Sequence, residues 1–109
     1  MQANVNLPSL NGLRVLITGG LGFIGSNLAH KCVELGAEVT IFDCLDPRSG
    51  GNLYNIYSIK DSVRLRFHDI LTFDQISQEV TNKDIIVNCA ASTSHPFSMK
   101  EPWIHLDVN

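Results

Sequence analysis

The 109-residue chain predicts an α/β fold, a doubly wound parallel sheet with strand order 3-2-1-4 and helices on both faces. Three observations lead there. Short apolar, β-branched runs alternate with segments of helical periodicity from one end of the chain to the other. The first of these runs passes through a glycine-rich turn into a helix pattern. The second run closes on an acidic residue.

Each element follows in order. Asn11-Gly12 is a turn signal, and residues 13–18 (LRVLIT) suit a strand buried on both faces. After the glycine-rich turn, Ile24, Leu28, Cys32 and Leu35 recur at helical spacing with Ala29 and Val33 beside them, and Gly36 is placed as the C′ stop. Residues 38–43 (EVTIFD) read as the second strand. Residues 45–51 contain Pro47, Arg48, Ser49 and two glycines, which is loop chemistry, and residues 52–59 suit a short helix. Residues 63–68 alternate with a period of two as the third strand. Phe73, Ile76 and Val80 share one helical face, with Thr72 or Asp74 as the cap. Residues 84–91 (DIIVNCAA) form the fourth strand, residues 92–100 a polar loop, and residues 101–109 the start of another helix, with Pro102 tolerated in its first turn. Four strands are the first half of a doubly wound sheet. The fourth would be left as an uncovered apolar edge, which predicts a fragment that is poorly soluble or self-associates. Residues 1–109 are therefore expected to be one domain, its N-terminal part only, with residues 1–11 as an arm and no linker or second domain.

Composition sets the frame for function. The chain is 44% hydrophobic and 17% charged with a net charge of −3, and no basic cluster marks a nucleic-acid surface. Residues 1–10 lack the pattern of a signal peptide, and no apolar run approaches the ~20 residues that span a bilayer. Cys32, Cys44 and Cys89 are odd in number and widely spaced, which suits reduced thiols and a cytoplasmic location and offers no metal-binding pair. His30, His68 and His105 are scattered without metal-ligand spacing and read as surface or edge residues.

The chemistry lies in residues 18–25, Thr-Gly-Gly-Leu-Gly-Phe-Ile-Gly. Three glycines at intervals of three sit between a strand and a helix. Gly19 permits the tight turn, Gly22 removes a side chain where a pyrophosphate approaches, and Gly25 allows close helix packing. Free amides at the helix N-terminus then hold the diphosphate. Asp43 lies 18 residues beyond Gly25, close to the ~20 expected of an acid that accepts from ribose hydroxyls. This is the context of a Rossmann-type dinucleotide site. A carboxylate at position 43 accepts from a ribose diol and repels a 2′-phosphate, so NAD is expected over NADP. Arg48 is either a solvated loop arginine or the one feature that softens this preference.

At this point the residues resemble a family. The stretch at 18–25, with two residues between Gly19 and Gly22, resembles the signature of extended short-chain dehydrogenases/reductases, the NAD-dependent sugar-nucleotide epimerases and dehydratases. Phe67-His68-Asp69-Ile70 resembles the family's third-strand ending, and Asn88-Cys89-Ala90-Ala91 resembles its His-x-Ala-Ala segment. Ser98 to Asn109, with Pro102, resembles the helix that ends in an asparagine near the nicotinamide. The resemblance implies that Phe23 and Ile24 supply pyrophosphate-binding amides, and that Asp43, Cys44 and Leu45 surround the ribose. Asp69 and Ile70 would face adenine, and Cys89, Ala90, Ala91 and Ser92 would line the cofactor's inner edge, with Asn109 toward the nicotinamide. Asp69 also reads as a cap or turn residue, and Cys89 as a small buried hydrophobe. Cys44 and Asn88 depart from the family's asparagine and histidine at these places.

In the family, proton abstraction from the sugar rests on a serine or threonine and a Tyr-x-x-x-Lys pair, while hydride passes to NAD. No such pair occurs here; Tyr57 and Lys60 are three apart and precede the third strand. No catalytic residue is therefore assigned, and the 109-residue chain alone is expected to be inactive. His95, Thr93 and Ser94 either touch substrate phosphate or are ordinary loop residues. The resemblance implies the NAD-binding part of an epimerase or dehydratase acting on a nucleotide-sugar, bound mainly by a C-terminal part, with a homodimer as the full-length assembly. The alternative is a non-catalytic NAD-sensing or regulatory module.

Overall fold

The computed structural model describes residues 9–45, 51–68 and 73–90. In them, β1 (Arg14–Thr18), α1 (Phe23–Glu34), β2 (Glu38–Asp43), a 3-10 helix (Leu53–Ile59), β3 (Val63–Phe67), α2 (Phe73–Val80) and β4 (Ile85–Asn88) follow one another. The strands form one parallel sheet in the order β3-β2-β1-β4, as the alternation of elements predicts. The loop at 92–100 and the helix at 101–109 lie outside the described residues.

The register explains the core. Val63, Val39, Val15 and Ile85 form one row across the sheet, and Leu65, Ile41, Ile17 and Val87 form the next. Val15, Val39, Ile17 and Ile41 pack with Ala29 and Cys32 of α1, with Leu21, and with Ile56 of the 3-10 helix. Fully burying side chains of this size stabilises by about 1.5–3 kcal/mol each. Because side chains alternate across a strand, Leu16, Thr18, Thr40 and Phe42 face the other side, and all four are buried. Arg66 shares that face, and its Nε lies 3.0 Å from Glu79 Oε2, which docks α2 there at the β3 end. The contact is an ion pair without hydrogen-bond alignment, since the Arg66 Nε hydrogen finds no acceptor along its direction.

Several boundaries and faces depart from the sequence reading. The first strand begins at Arg14 rather than Leu13, and the fourth ends at Asn88. On α1 the buried face is Gly25, Ser26, Ala29 and Cys32, while Ile24 is 70% exposed. The reason is Gly25: without a side chain it draws the first turn against the glycine-rich turn, which rotates Ile24 outward. On α2, Glu79 is buried and Val80 exposed, because Glu79 meets Arg66 and also Lys83 Nζ at 3.8 Å. Asp74 stands in that helix's first turn, and Thr72 lies outside the described residues. Gly36 ends α1 with a φ of +95°, a conformation that favours glycine. At the β4 end of the described sheet, Ile85 and Ile86 are exposed. No helix among the described residues is long and apolar enough to cross a membrane.

Candidate functional site

β1 delivers the chain to the C-terminal edge of the sheet at Thr18, where it turns sharply. Gly19 takes a φ of +69°, and its amide donates to the Phe42 carbonyl at 2.8 Å. A Cβ on Gly19 would fall 2.7 Å from the Ala90 nitrogen, so the end of β4 lies directly on this residue. Gly20 is as constrained: its Cβ would fall 2.5 Å from a methyl carbon of Ile41. At Gly25 a Cβ would collide with the Gly19 carbonyl oxygen and lie 2.8 Å from the Gly20 Cα. The close packing expected of Gly25 is thus against the turn itself.

Gly22 is different. Its φ is −79°, and the nearest atom to an added Cβ is the Gly19 oxygen at 3.5 Å, an ordinary contact. Protein packing does not require glycine there. The space its missing side chain leaves is open for something else. Gly22 is also the N-cap of α1 and offers no side chain to the helix amides. The Ser26 amide takes the Gly22 carbonyl at 2.9 Å, and among the described residues the amides of Phe23, Ile24 and Gly25 have no protein acceptor. Phe23, 81% exposed, and Ile24 turn their side chains to an open, shallow groove with Asn27, Leu28 and Lys31. Three free amides at the positive end of a helix dipole suit an anion such as a diphosphate.

Asp43 closes β2 beside this turn. Its Oδ2 accepts from the Leu21 amide at 3.0 Å, and its Oδ1 accepts from the Leu45 amide at 2.7 Å. Among the described residues each oxygen keeps a second lone pair, so a carboxylate fixed in orientation has room to accept from two hydroxyls. Leu45 reaches its bond with a φ of +57°, unusual for a leucine. Cys44, between them, is exposed, and Gly51 passes 3.5 Å from Asp43 Oδ1 where its Cβ would be.

The end of β4 forms the third wall. The Cys89 amide donates to the Thr18 carbonyl at 2.9 Å and the Ala90 amide to Thr18 Oγ1 at 3.3 Å. Thr18 Oγ1 in turn donates to Asn88 Oδ1 in a short hydrogen bond. Asn88, where the family resemblance leads one to expect histidine, therefore ties β4 to β1. Cys89 is half-buried, and burial pushes its thiol and that of Cys32 above the usual thiol range.

The structure thus gathers Gly19, Gly22, Phe23, Ile24, Gly25, Asp43, Cys44, Leu45, Cys89 and Ala90 around one edge. Asp69, Ile70, Ala91, Ser92 and Asn109 lie outside the described residues, as do Arg48, Thr93, Ser94 and His95. Sequence reasoning missed Leu21, Asn52 and Asn55. The Leu21 carbonyl accepts from the Asn52 amide at 3.1 Å and from Asn55 Nδ2 at 2.8 Å. The asparagine before the 3-10 helix is a cap signal, but nothing local ties Asn55 to a residue 34 positions earlier. His30 is a correction as well. It is half-buried and bonds through Nε2 to the Asn55 carbonyl at 2.9 Å, rather than lying idle on the surface. His68 sits 5.9 Å from the Phe42 ring. Among the described residues no group of three His, Cys, Asp or Glu is placed to hold a metal ion.

Known proteins resemble this chain in sequence and fold. Residues 15–109 match the NAD dependent epimerase/dehydratase family. A dTDP-glucose 4,6-dehydratase of Mycobacterium tuberculosis is 33% identical over 100 residues, which cover 88% of this chain and 30% of that protein. The solved dTDP-glucose 4,6-dehydratase of Streptomyces venezuelae, with NAD and TYD bound, superposes with a TM-score of 0.81 at 28% identity, over 89% of this chain and 32% of that one. A UDP-glucose 4-epimerase of Thermotoga maritima, solved with UDP-glucose, gives a TM-score of 0.77 at 26% identity over 88% and 30%. The chain therefore spans about 30% of the length of the curated relatives it matches.

Proposed function

Since this chain belongs to the NAD dependent epimerase/dehydratase family, we propose that it is the NAD-binding part of an enzyme that epimerises or dehydrates a nucleotide-sugar. The observation that carries the reading is the pairing of three amides after Gly22, which have no acceptor among the described residues, with a fixed carboxylate at Asp43. The two groups match the two ends of an adenosine diphosphate. The helix amides receive the diphosphate, Gly22 leaves it space, and Asp43 accepts from the ribose hydroxyls. Cys44 and Leu45 border the ribose, and Cys89 and Ala90 lie along the cofactor's inner edge. Asp69, Ile70, Ala91, Ser92 and Asn109 are proposed to complete the site on the resemblance alone.

When bound, NAD accepts a hydride from a sugar carbon and can return it. The residues described here do not move that hydride or its proton. They bind and orient the adenosine half, leaving the sugar chemistry to residues other than those assigned here. The nucleotide-sugar and a homodimeric assembly are proposed for the full-length enzyme on the same grounds.

A calorimetric titration of the chain with NAD and with NADP tests this. NAD is expected to bind at least about tenfold tighter, a difference of about 1.4 kcal/mol, because Asp43 repels a 2′-phosphate. Asp43→Asn is expected to narrow that gap by weakening NAD. Equal affinities for the two cofactors in the unsubstituted chain refute the assignment of Asp43, and no binding of either refutes the reading as a whole.

A further inference from the structure

We propose that Asn55, in the 3-10 helix Leu53–Ile59, is a positioning residue that holds the phosphate-binding turn in shape from outside. The inference rests on the cofactor reading above and adds a residue that touches no cofactor.

The Leu21–Gly22 peptide group is the key unit. Its carbonyl accepts from Asn55 Nδ2 at 2.8 Å and from the Asn52 amide at 3.1 Å, while its N–H, on Gly22, donates to the Gly19 carbonyl at 3.2 Å. The preceding amide, on Leu21, is held by Asp43 Oδ2 at 3.0 Å. The Leu21 amide, the Leu21 carbonyl and the Gly22 amide are thus all bound by protein. A peptide plane next to glycine rotates easily when its carbonyl has no partner. Rotation here would turn the Gly22 amide from the Gly19 carbonyl and move the start of α1, where the free amides of Phe23, Ile24 and Gly25 begin.

The Asn55 backbone is itself held at both its polar groups. Its amide donates to the Asn52 carbonyl at 3.0 Å, and its carbonyl accepts from His30 Nε2 at 2.9 Å. A carbonyl only accepts, so Nε2 carries the hydrogen in this contact. Asn52 caps the same helix, its Oδ1 accepting from the Tyr54 amide at 2.8 Å. The neighbouring Ile56 is 1% exposed and anchors the helix in the core. The clamp therefore runs from the core and α1, through Asn55, to the Leu21 carbonyl. Its other end, through the Leu21 amide, fixes Asp43. One side chain outside the site, together with the Asn52 amide, thus braces the turn that carries both its phosphate-binding and its ribose-binding groups.

The test combines NAD titration, thermal unfolding and amide hydrogen exchange on the chain, with Asn55→Ala and Asn55→Asp. Asp leaves a side chain that can no longer donate to the Leu21 carbonyl. NAD binding is expected to weaken about three- to tenfold in Asn55→Ala, and more in Asn55→Asp, the scale of one net hydrogen bond. Exchange at the Leu21 and Gly22 amides is expected to quicken, with the amides of β1 and β2 unchanged. Asn55→Ser, which keeps a donor, is expected to recover part of the affinity and supplies the measurement if Asn55→Ala does not fold. Unchanged NAD affinity together with unchanged exchange at Leu21 and Gly22 overturns the proposal. So does uniform quickening across the sheet with a matching fall in Tm, the mark of a merely structural residue. If the unsubstituted chain binds no NAD and yet Asn55→Ala loosens Leu21 and Gly22, the clamp stands and the cofactor reading falls.

Discussion

Gly22 and Gly25 are three residues apart and both conform to one motif, yet the structure assigns them opposite sensitivities to the same methyl group. In Gly25→Ala the added Cβ meets backbone on two sides, the Gly19 carbonyl oxygen and, at 2.8 Å, the Gly20 Cα. No rotamer change relieves a backbone contact, so the cost lies toward the upper end of the ~1–3 kcal/mol typical of overpacking. Alanine returns about 1 kcal/mol as the better helix former. The net loss is about 2 kcal/mol of folding stability. In Gly22→Ala the φ of −79° suits any residue and the nearest atom lies 3.5 Å away. Alanine caps a helix less well than glycine, by roughly 0.5 kcal/mol, but restricts the unfolded chain by about as much. Stability should stay within about 0.5 kcal/mol. NAD affinity should fall at least about tenfold, because the methyl occupies the diphosphate's approach. Denaturant unfolding gives the first quantity and calorimetric titration the second. A Gly22→Ala protein that binds NAD as well as the parent, or that loses as much stability as Gly25→Ala, refutes the division of labour.

Two further predictions concern titrating groups. Asp84 accepts from the Arg14 backbone amide at 2.8 Å and then from its Nε at 3.4 Å, and these bonds hold its carboxyl below the usual 3.8. A carboxyl depressed in the folded state contributes stability above its unfolded pKa and loses it as pH falls through the folded value. Asp84→Asn should therefore be less stable than the parent at neutral pH, and the two should converge below pH 4 or so, which acid titration of the unfolding free energy checks. A constant difference between them down to pH 2 or so counts against the contact. The three thiols should also separate. Cys44 is exposed, whereas burial raises the thiol pKa of Cys32 and Cys89, so iodoacetamide near neutral pH should label Cys44 first, as peptide mass mapping would report. NAD should slow that labelling, since Cys44 adjoins the proposed ribose site; labelling of Cys32 or Cys89 at the same rate contradicts the burial argument.

Much of this molecule is written locally. Strand and helix identity follow from periodicity that any short window displays, and the parallel order follows from their alternation, since parallel neighbours need a crossover between them. The glycines at 19, 22 and 25 and the aspartate at 43 announce a dinucleotide site because backbone conformation and charge are properties of single residues. What sequence could not supply is which side of a helix wins when candidate faces compete. Ile24 reads as core by hydrophobicity, and Gly25 takes its place because only a missing Cβ admits the Gly19 and Gly20 backbone. Val80 yields to Glu79 in the same way, because Arg66 and Lys83 supply the charges that make a buried carboxylate tolerable.

The longest-range features were invisible for a related reason. The bond from Asn55 to the Leu21 carbonyl, and the bridge from Thr18 to Asn88, join residues 34 and 70 positions apart with no pattern connecting them. Sequence by itself determined that this chain forms half of a doubly wound sheet with a glycine turn and an acid at its edge. Tertiary structure alone decided that the acid is held by the turn, that the turn is held by the 3-10 helix, and that Gly22 is the glycine the fold can do without. Conformational preference belongs to each residue; contact is settled only when distant segments compete for the same space.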